Sequence, residues 1–505
     1  MSASSEGRRE FDYVIVGGGS AGCVLASRLS EDPAVTVCLL EAGPVDKSVL
    51  IHCPAGLALL AQTGSVNWAF QTVPQPGLNG RRGYQPRGKV LGGSSSVNAM
   101  IYLRGQPLDY DDWAAAGNAG WRWSDVLPWF KKHENRAGGS SPLHGTGGEL
   151  DVQPLRSSNP LARAFVAAAA EAGHARNADF NGPEQDGFGL FELNQRGGVR
   201  LSSSRAFLHP VLHRPNLALV TDALVEKIRV VAGRAVGVTI VRGGVRRELD
   251  AAGEVVLSAG TVNSPQLLML SGIGPAADLV RHGIAVVHDL PGVGGNLQDH
   301  LRVSVRWQAQ QPLVPSTVSA GLFTYSARAA AARATAPPDI QFYVGRGLDV
   351  PDPFVTLTVA MSQPASRGRL TLRSDDPLAP PLVRANYLSE SSDLDAMVEA
   401  VRLAQGLANS SAYDAVRGAA VDPPEALRSD ADIRAFIRRT ADTIFHPVGT
   451  CAMGTSRDAV VDPQLRVQGI TGLRVADASI FPVNLNSQIH AACVVIGDKC
   501  SDLVQ

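Results

Sequence analysis

Short, continuously apolar runs punctuate this chain, and each ends on a glycine, a serine or an acid. The first is "YVIV" in "FDYVIVGGGSAGCVLASRL"; the second, "VTVCLLE", closes on Glu41. Short apolar runs without alternation suit parallel strands covered on both faces. Residues 21 to 30 lie between them with helical spacing, so the opening segment predicts a strand–helix–strand unit. "EVVLSAGTVNSPQLLMLSGIG" (254 to 274) repeats the order, with a strand to Ala259, a turn at Gly260 and a helix opened by Ser264-Pro265. "LRVADAS" (473 to 479) adds a strand that ends at Asp477. Three strand ends far apart in sequence can thus converge on one ligand.

The middle of the chain has another rhythm. "LRVSVR" (301 to 306), "FVTLTVAM" (354 to 361) and "RLTLR" (369 to 373) alternate, as in a sheet covered on one face. "LARAFVAAAAEAGH" and the stretches at about 393 to 409 and 431 to 441 read as helices, and the alanine-rich 325 to 339 as a surface helix or mobile loop. The predicted fold is α/β: a Rossmann-like dinucleotide domain with an inserted α+β substrate domain built on an antiparallel sheet. The nucleotide domain takes 1–155, 196–298 and 440–505, and the insert 156–195 and 299–439.

Composition excludes several classes. With 505 residues, 45% hydrophobic and 18% charged, the chain can fill two cores. A formal charge of -1 leaves no footprint for nucleic acid and no polybasic segment for a membrane surface. No run of about 18 apolar residues predicts a membrane span. "MSASSEGRRE" has no apolar signal region, so the expected location is cytoplasmic. Cys23, Cys38, Cys53, Cys451, Cys493 and Cys500 form neither CxxC pairs nor zinc-type spacings, and no metal site is expected.

"GGGSAG" carries GxGxxG at Gly17, Gly19 and Gly22, with Ser20 and Ala21 opening the helix and Glu41-Ala42 at the end of the second strand. Glycines at this turn let a helix N-terminus face a pyrophosphate, and the acid can accept from a ribose hydroxyl. The small-residue run "LGGSSSVNA" can lie along a cofactor and offer backbone N–H donors.

"PRGKVLGGSSSVNAMIYLRG" (86 to 105) and "SAGTVNSPQLLMLSGIGP" (258 to 275) resemble the two signatures of the glucose–methanol–choline (GMC) oxidoreductases. The resemblance continues through "GNLQDH", "RGRLTLRSDDPLAPPLVRANYL" and "FHPVGTCAMG", in the right order over nearly the whole chain. It implies an FAD-dependent enzyme that oxidises a small-molecule alcohol and passes electrons to O2 or a quinone-like acceptor. It also implies FAD contacts at Arg87, Val90, Gly92, Asn98, Ala99, Met100 and Ile101, with further candidates at Trp68, Val225, Ala259, Asp477, Ala478, His490 and Ala491. Some relatives link FAD to a histidine just before the asparagine; Val97 stands there, so FAD is expected to be non-covalent.

Alcohol oxidation needs a base for the hydroxyl proton, a task suited to imidazole. His446 directly precedes Pro447, which holds it out of the preceding helix. The resemblance makes His446 the base and gives His300 a structural place. In the loop "DASIFPVNLNSQIHAACVV" the family's second catalytic group, an Asn or His, stands six residues after the proline, which here is Gln488. His490, two further on, is the other candidate. In an extended segment both point to one side, so periodicity cannot choose; the unshifted spacing favours Gln488. On the same scaffold, an FAD-containing lyase of the cyanohydrin type and a fatty-acid photodecarboxylase are the alternative functions.

Overall fold

The computed structural model describes residues 10–56, 59–60, 64–155, 159–310, 318–344, 354–425 and 427–504. A seven-stranded sheet is organised around one long strand, Val245–Leu257. Its first half pairs antiparallel with Arg234–Arg242, which pairs in turn with Ala223–Val231. Its second half pairs parallel with Glu10–Val16 on one side and Leu473–Val475 on the other. Beyond Glu10–Val16 lie Val37–Leu40 and Leu217–Val220, both parallel to it. The apolar runs form these strands because both of their faces are covered: Val14, Ile15 and all of Val37–Leu40 are buried.

The register puts Val220, Leu40, Val16, Leu257 and Val475 on one line across the sheet. The residues that follow, among them Gly17, Glu41 and Ser258, therefore emerge side by side at one sheet edge. That edge is where ligands bind in open α/β sheets. Helix Ser20–Leu29 packs on the C-terminal helix His490–Leu503. A Cβ on Gly497 would lie 2.4 Å from the Ala21 carbonyl oxygen, so this close crossing requires glycine.

The second sheet is wholly antiparallel. Its order is Arg417–Asp422, Leu301–Ala309, Phe354–Met361, Ile340–Val344, Ala320–Thr324 and Gly187–Leu190, with Asp442–Thr443 at the end of Leu301–Ala309. Cross-strand pairing sorts its side chains strictly. Val303, Val305, Phe342, Leu357 and Val359 share one face, against the helices Ser391–Ala408 and Pro160–Glu171. Each such buried side chain is worth about 1.5–3 kcal/mol. Arg302, Ser304, Gln341, Tyr343 and Thr358 share the other face, toward the first sheet's edge.

The alternation at 369 to 373 does form a strand, but not in this sheet: Arg369–Thr371 pairs locally with Leu382–Arg384 as a two-stranded ribbon. Alternation reports a half-covered strand and carries no information on its partner. The alanine-rich segment holds only a short helix, Ala327–Ala331. All six cysteines are free, and among the described residues no helix is long and apolar enough to cross a membrane. The N-terminal leader question falls on residues 1–9, outside the described residues.

Candidate active site

The edge of the first sheet and the polar face of the second enclose a cavity of about 380 Å³. Three helices begin at its wall: Ser20–Leu29, Gly260–Leu270 and His490–Leu503. None is capped by the side chain of its own N-cap residue, and none has an acid in its first turn, although Asp477 takes the Gly260 N–H. The positive ends of three dipoles therefore converge on one space, and such helix N-termini suit a bound pyrophosphate or an anionic ring edge.

Around that space the residues fit a dinucleotide. Gly19, Ser20 and Ala21 line it directly. Gly22 lies behind the wall: a Cβ there would meet the Gly17 carbonyl oxygen at 2.0 Å, so its role is to let helix and turn close up. Glu41 is buried, and its carboxylate accepts from Gly18 N at 3.0 Å and Gly43 N at 2.8 Å. Burial still pushes its carboxyl up to about 7. Ala42, Val225 and Ala259 complete this end. Asp477 also lines the cavity, but both its oxygens serve the protein: one accepts from Ser479 N, the other from Gly260 N and Ser264 Oγ. It clamps strand end to helix start.

The stretch 86 to 101 forms a second wall, with Trp68, Arg87, Val97, Asn98, Ala99, Met100 and Ile101 on the cavity. Val90, Gly92 and Ala491 do not line it. Val90 packs with Ile51 and Val66, and Ala491 is buried in its helix. Gly92 donates its N–H to Gly18 O at 2.7 Å, joining this wall to the nucleotide turn. Arg200, which the sequence reading did not single out, fixes the wall from behind. It is almost fully buried, and its Nη1 donates to Asn98 O at 2.6 Å and Asn98 Oδ1 at 2.8 Å. Burial lowers its guanidinium to about 10.

His446 stands at the other end, held on both sides by its backbone. Its N–H donates to Asp299 Oδ1 at 3.0 Å, and its carbonyl accepts from Asn484 Nδ2 at 3.3 Å. The preceding Phe445 has φ +72°, a strained conformation fixed by Arg87, whose Nη2 donates to the Phe445 carbonyl at 2.9 Å. The imidazole Nδ1 lies 3.1 Å from His300 Nδ1, and among the described residues Nε2 has no hydrogen-bond partner. Desolvation, with His300 and Arg87 adding to it, holds the His446 ring well below the ordinary histidine range, so it is neutral at pH 7.

Gln488 and His490 both line the cavity, but they face different neighbours. Gln488 Nε2 donates to Tyr343 Oη at 3.0 Å, on the second sheet. The amide orientation follows from a chain of bonds. Gln341 Nε2 donates to the Asn486 carbonyl, so Gln341 Oε1 must accept the Tyr343 hydroxyl proton, and the phenol oxygen is left to accept from Gln488. His490 opens the C-terminal helix with Nδ1 3.2 Å from Ser20 Oγ, in the nucleotide turn, and burial lowers it to about 4.

Tyr343, Thr358 and Arg302 on the cavity wall were missed in the sequence reading. For Arg302 and Thr358 the signal was present, as polar positions of the alternating runs 301 to 306 and 354 to 361; Tyr343 lies on Ile340–Val344, a strand not read from the sequence.

Residues 11–302 and 364–497 match the N- and C-terminal profiles described as GMC oxidoreductase. The chain belongs to the GMC oxidoreductase family. An alcohol dehydrogenase [acceptor] of Pseudomonas putida is 43% identical over 528 residues, covering 98% of this chain and 95% of the relative. An oxygen-dependent choline dehydrogenase of Brucella anthropi is 42% identical over 524 residues, with the same coverage. Among solved GMC-like structures, pyridoxine 4-oxidase from Mesorbium loti superposes with a TM-score of 0.92 at 34% identity, covering 97% of this chain and 98% of that one.

Proposed function

We propose that the cavity is the active site of an FAD-dependent oxidation of alcohols to aldehydes or ketones, with His446 as general base. The family and its alcohol-oxidising relatives support that reading over the lyase and decarboxylase alternatives. The observation that carries the base assignment is a neutral imidazole, braced on both sides of its backbone, with one ring nitrogen unbonded among the described residues, on the cavity where three helices begin.

Bound FAD supplies the two-electron acceptor for the carbinol hydride. The chain does the rest. The N-termini of helices Ser20–Leu29 and Gly260–Leu270, with Glu41, hold the dinucleotide end. Val97 offers no nucleophilic atom to its neighbours, in keeping with non-covalent FAD. His446 Nε2 accepts the substrate hydroxyl proton, and burial of the ring keeps it deprotonated and ready at neutral pH. Gln488 and Tyr343 bound the substrate side, whereas His490, bonded to Ser20, serves the cofactor side.

The test is anaerobic bleaching of the flavin absorbance by a panel of 1-hexanol, benzyl alcohol, pyridoxine and choline. His446→Ala should slow bleaching by at least about 100-fold with FAD content unchanged. Reduction at the wild-type rate would remove His446 as base. Gln488→Ala should raise the KM of the best alcohol more than His490→Ala does; the reverse order would exchange their roles.

A further inference from the structure

Arg200 is 1% exposed, and among the described residues no acid pairs with it. Every bond it makes goes to a neutral oxygen. Its Nε donates to Ile51 O at 2.8 Å, and its Nη1 to Asn98 O at 2.6 Å, Asn98 Oδ1 at 2.8 Å and Ser95 O at 3.4 Å. Its Nη2 is buried without a hydrogen-bond partner. Arg104, equally buried, is by contrast ion-paired with Glu134. Asp46, the buried acid bonded to the same stretch through Ser204 Oγ, is engaged by His209 Nε2 at 2.9 Å. A guanidinium keeps its charge at neutral pH even here, since burial pushes it down only to about 10. An unpaired charge in the interior destabilises a fold strongly, so its retention points to a negative charge that the chain itself does not supply.

Ser95 and Asn98, which hold the guanidinium, both line the cavity. Their wall reaches the nucleotide turn through the Gly92 N–H on Gly18 O, and His446 through Arg87 on Phe445 O. Arg200 therefore stands behind the stretch that joins the dinucleotide end to the base, the stretch left for the reactive ring of FAD. The C-terminal helix turns its positive end to the same cavity at His490. The acids on the cavity wall among the described residues are Glu41 and Asp477, both engaged by backbone N–H groups at the nucleotide end. Hydride transfer breaks the carbinol C–H bond and adds two electrons and one proton to the flavin, which gains one negative charge; the hydroxyl proton goes to His446. We infer that Arg200 is the built-in counter-charge of the reduced flavin and raises its midpoint potential from behind the Ser95–Asn98 wall. It touches no reacting atom and is a positioning residue. This rests on FAD occupying the cavity, as in the function proposed above, and not on which group is the base. The same fork also turns the Asn98 amide: Oδ1 accepts from Arg200 Nη1 and from Met100 N at 3.0 Å, which leaves Nδ2 to the cavity.

The experiment is an anaerobic dithionite titration of the FAD-loaded enzyme against reference dyes, with free FAD measured in the same cell; it needs no alcohol. The wild-type midpoint should lie above that of free FAD, because the site binds the reduced form more tightly. Arg200→Met removes the charge and should weaken reduction about 10- to 100-fold, a fall of about 30–60 mV for a two-electron couple. Arg200→Lys keeps a charge but loses the fork on Asn98, and should stay within about threefold, or about 15 mV, of wild type. An Arg200→Met midpoint within about threefold of wild type overturns the inference. So does an Arg200→Lys midpoint that falls as far as that of Arg200→Met, since the effect would then belong to the hold on Asn98 and not to charge. If Arg200→Met does not retain FAD, Arg200→Lys and the wild-type midpoint decide, and a wild-type midpoint at or below that of free FAD overturns the inference. A flavin that no alcohol reduces, but whose midpoint falls in Arg200→Met, removes the proposed function and leaves this inference standing. Ordinary reduction by an alcohol with an unmoved midpoint does the reverse.

Discussion

Asp299 offers the sharpest test of how the base is held. The carboxylate is 6% exposed and receives four donors: the His446 backbone N–H at 3.0 Å, Gln85 Nε2 at 2.8 Å, Tyr387 Oη at 2.5 Å and Thr443 Oγ1 at 2.6 Å. In Asp299→Ala all four lose their acceptor in the interior. Each buried donor left unsatisfied costs about 1–3 kcal/mol. The Tyr387 and Thr443 hydroxyls can turn to new partners, and the desolvation cost of the carboxylate disappears with it, so the net loss is about 3–5 kcal/mol rather than the sum. An unfolding entropy of about 2.1 cal/mol/K per residue gives roughly 1 kcal/mol/K for 505 residues, and hence a fall in Tm of about 3–5 °C. Activity should fall further than stability. Without the grip on its N–H, the His446 ring drifts, and a displacement near 1 Å costs about 100-fold in rate. Differential scanning calorimetry and anaerobic flavin reduction on the same preparation measure both effects. A Tm within 1 °C of wild type together with reduction within about threefold would refute this account of the loop.

Three further outcomes are expected. The depressed basicity of His446 means its neutral form is present throughout the neutral range and is lost only as pH falls below the ordinary histidine range. Flavin reduction should therefore be flat from about pH 6.5 to 8, and an acid limb with a midpoint above 7 would contradict the burial argument. Glu41→Ala removes the acceptor of the Gly18 and Gly43 N–H groups and should weaken FAD retention about 10- to 100-fold, read from the flavin-to-protein absorbance ratio after dilution. Tyr343→Phe leaves Gln488 Nε2 and Gln341 Oε1 without their shared hydroxyl and should destabilise by about 1–3 kcal/mol while raising KM. An unchanged melt and an unchanged KM would show that the Gln341–Tyr343–Gln488 chain is dispensable.

Much of the nucleotide end was legible in the linear sequence, because local physics dictates it. Apolar runs long enough only for buried strands, a glycine turn between strand and helix, and an acid closing the next strand place Gly17, Gly19, Ser20 and Ala21 in one turn and Glu41 at the end of the following strand. The alternating strands disclosed a sheet with one covered face, but not which strands pair. Arg369–Thr371 alternates as well as any of them and lies in a separate ribbon. Residues such as Val90, Gly22 and Ala491 carried the right identity for a contact and yet sit behind the wall, since position along a motif does not give direction.

Tertiary structure alone decided the chemistry of the far end. Gln488 and His490, two residues apart, are separated in function by what stands opposite each, Tyr343 from one sheet and Ser20 from the other. His300 and His446 are 146 positions apart, and only the pairing of Leu301–Ala309 with Asp442–Thr443 brings their rings to 3.1 Å. The sequence by itself determined the cofactor-binding turn and the residue types available to the site, because those follow from short-range backbone and side-chain preferences. Which imidazole is free, which is spent on another ring, and which amide faces the substrate side depend on contacts between strands distant in the chain, and no local pattern encodes them.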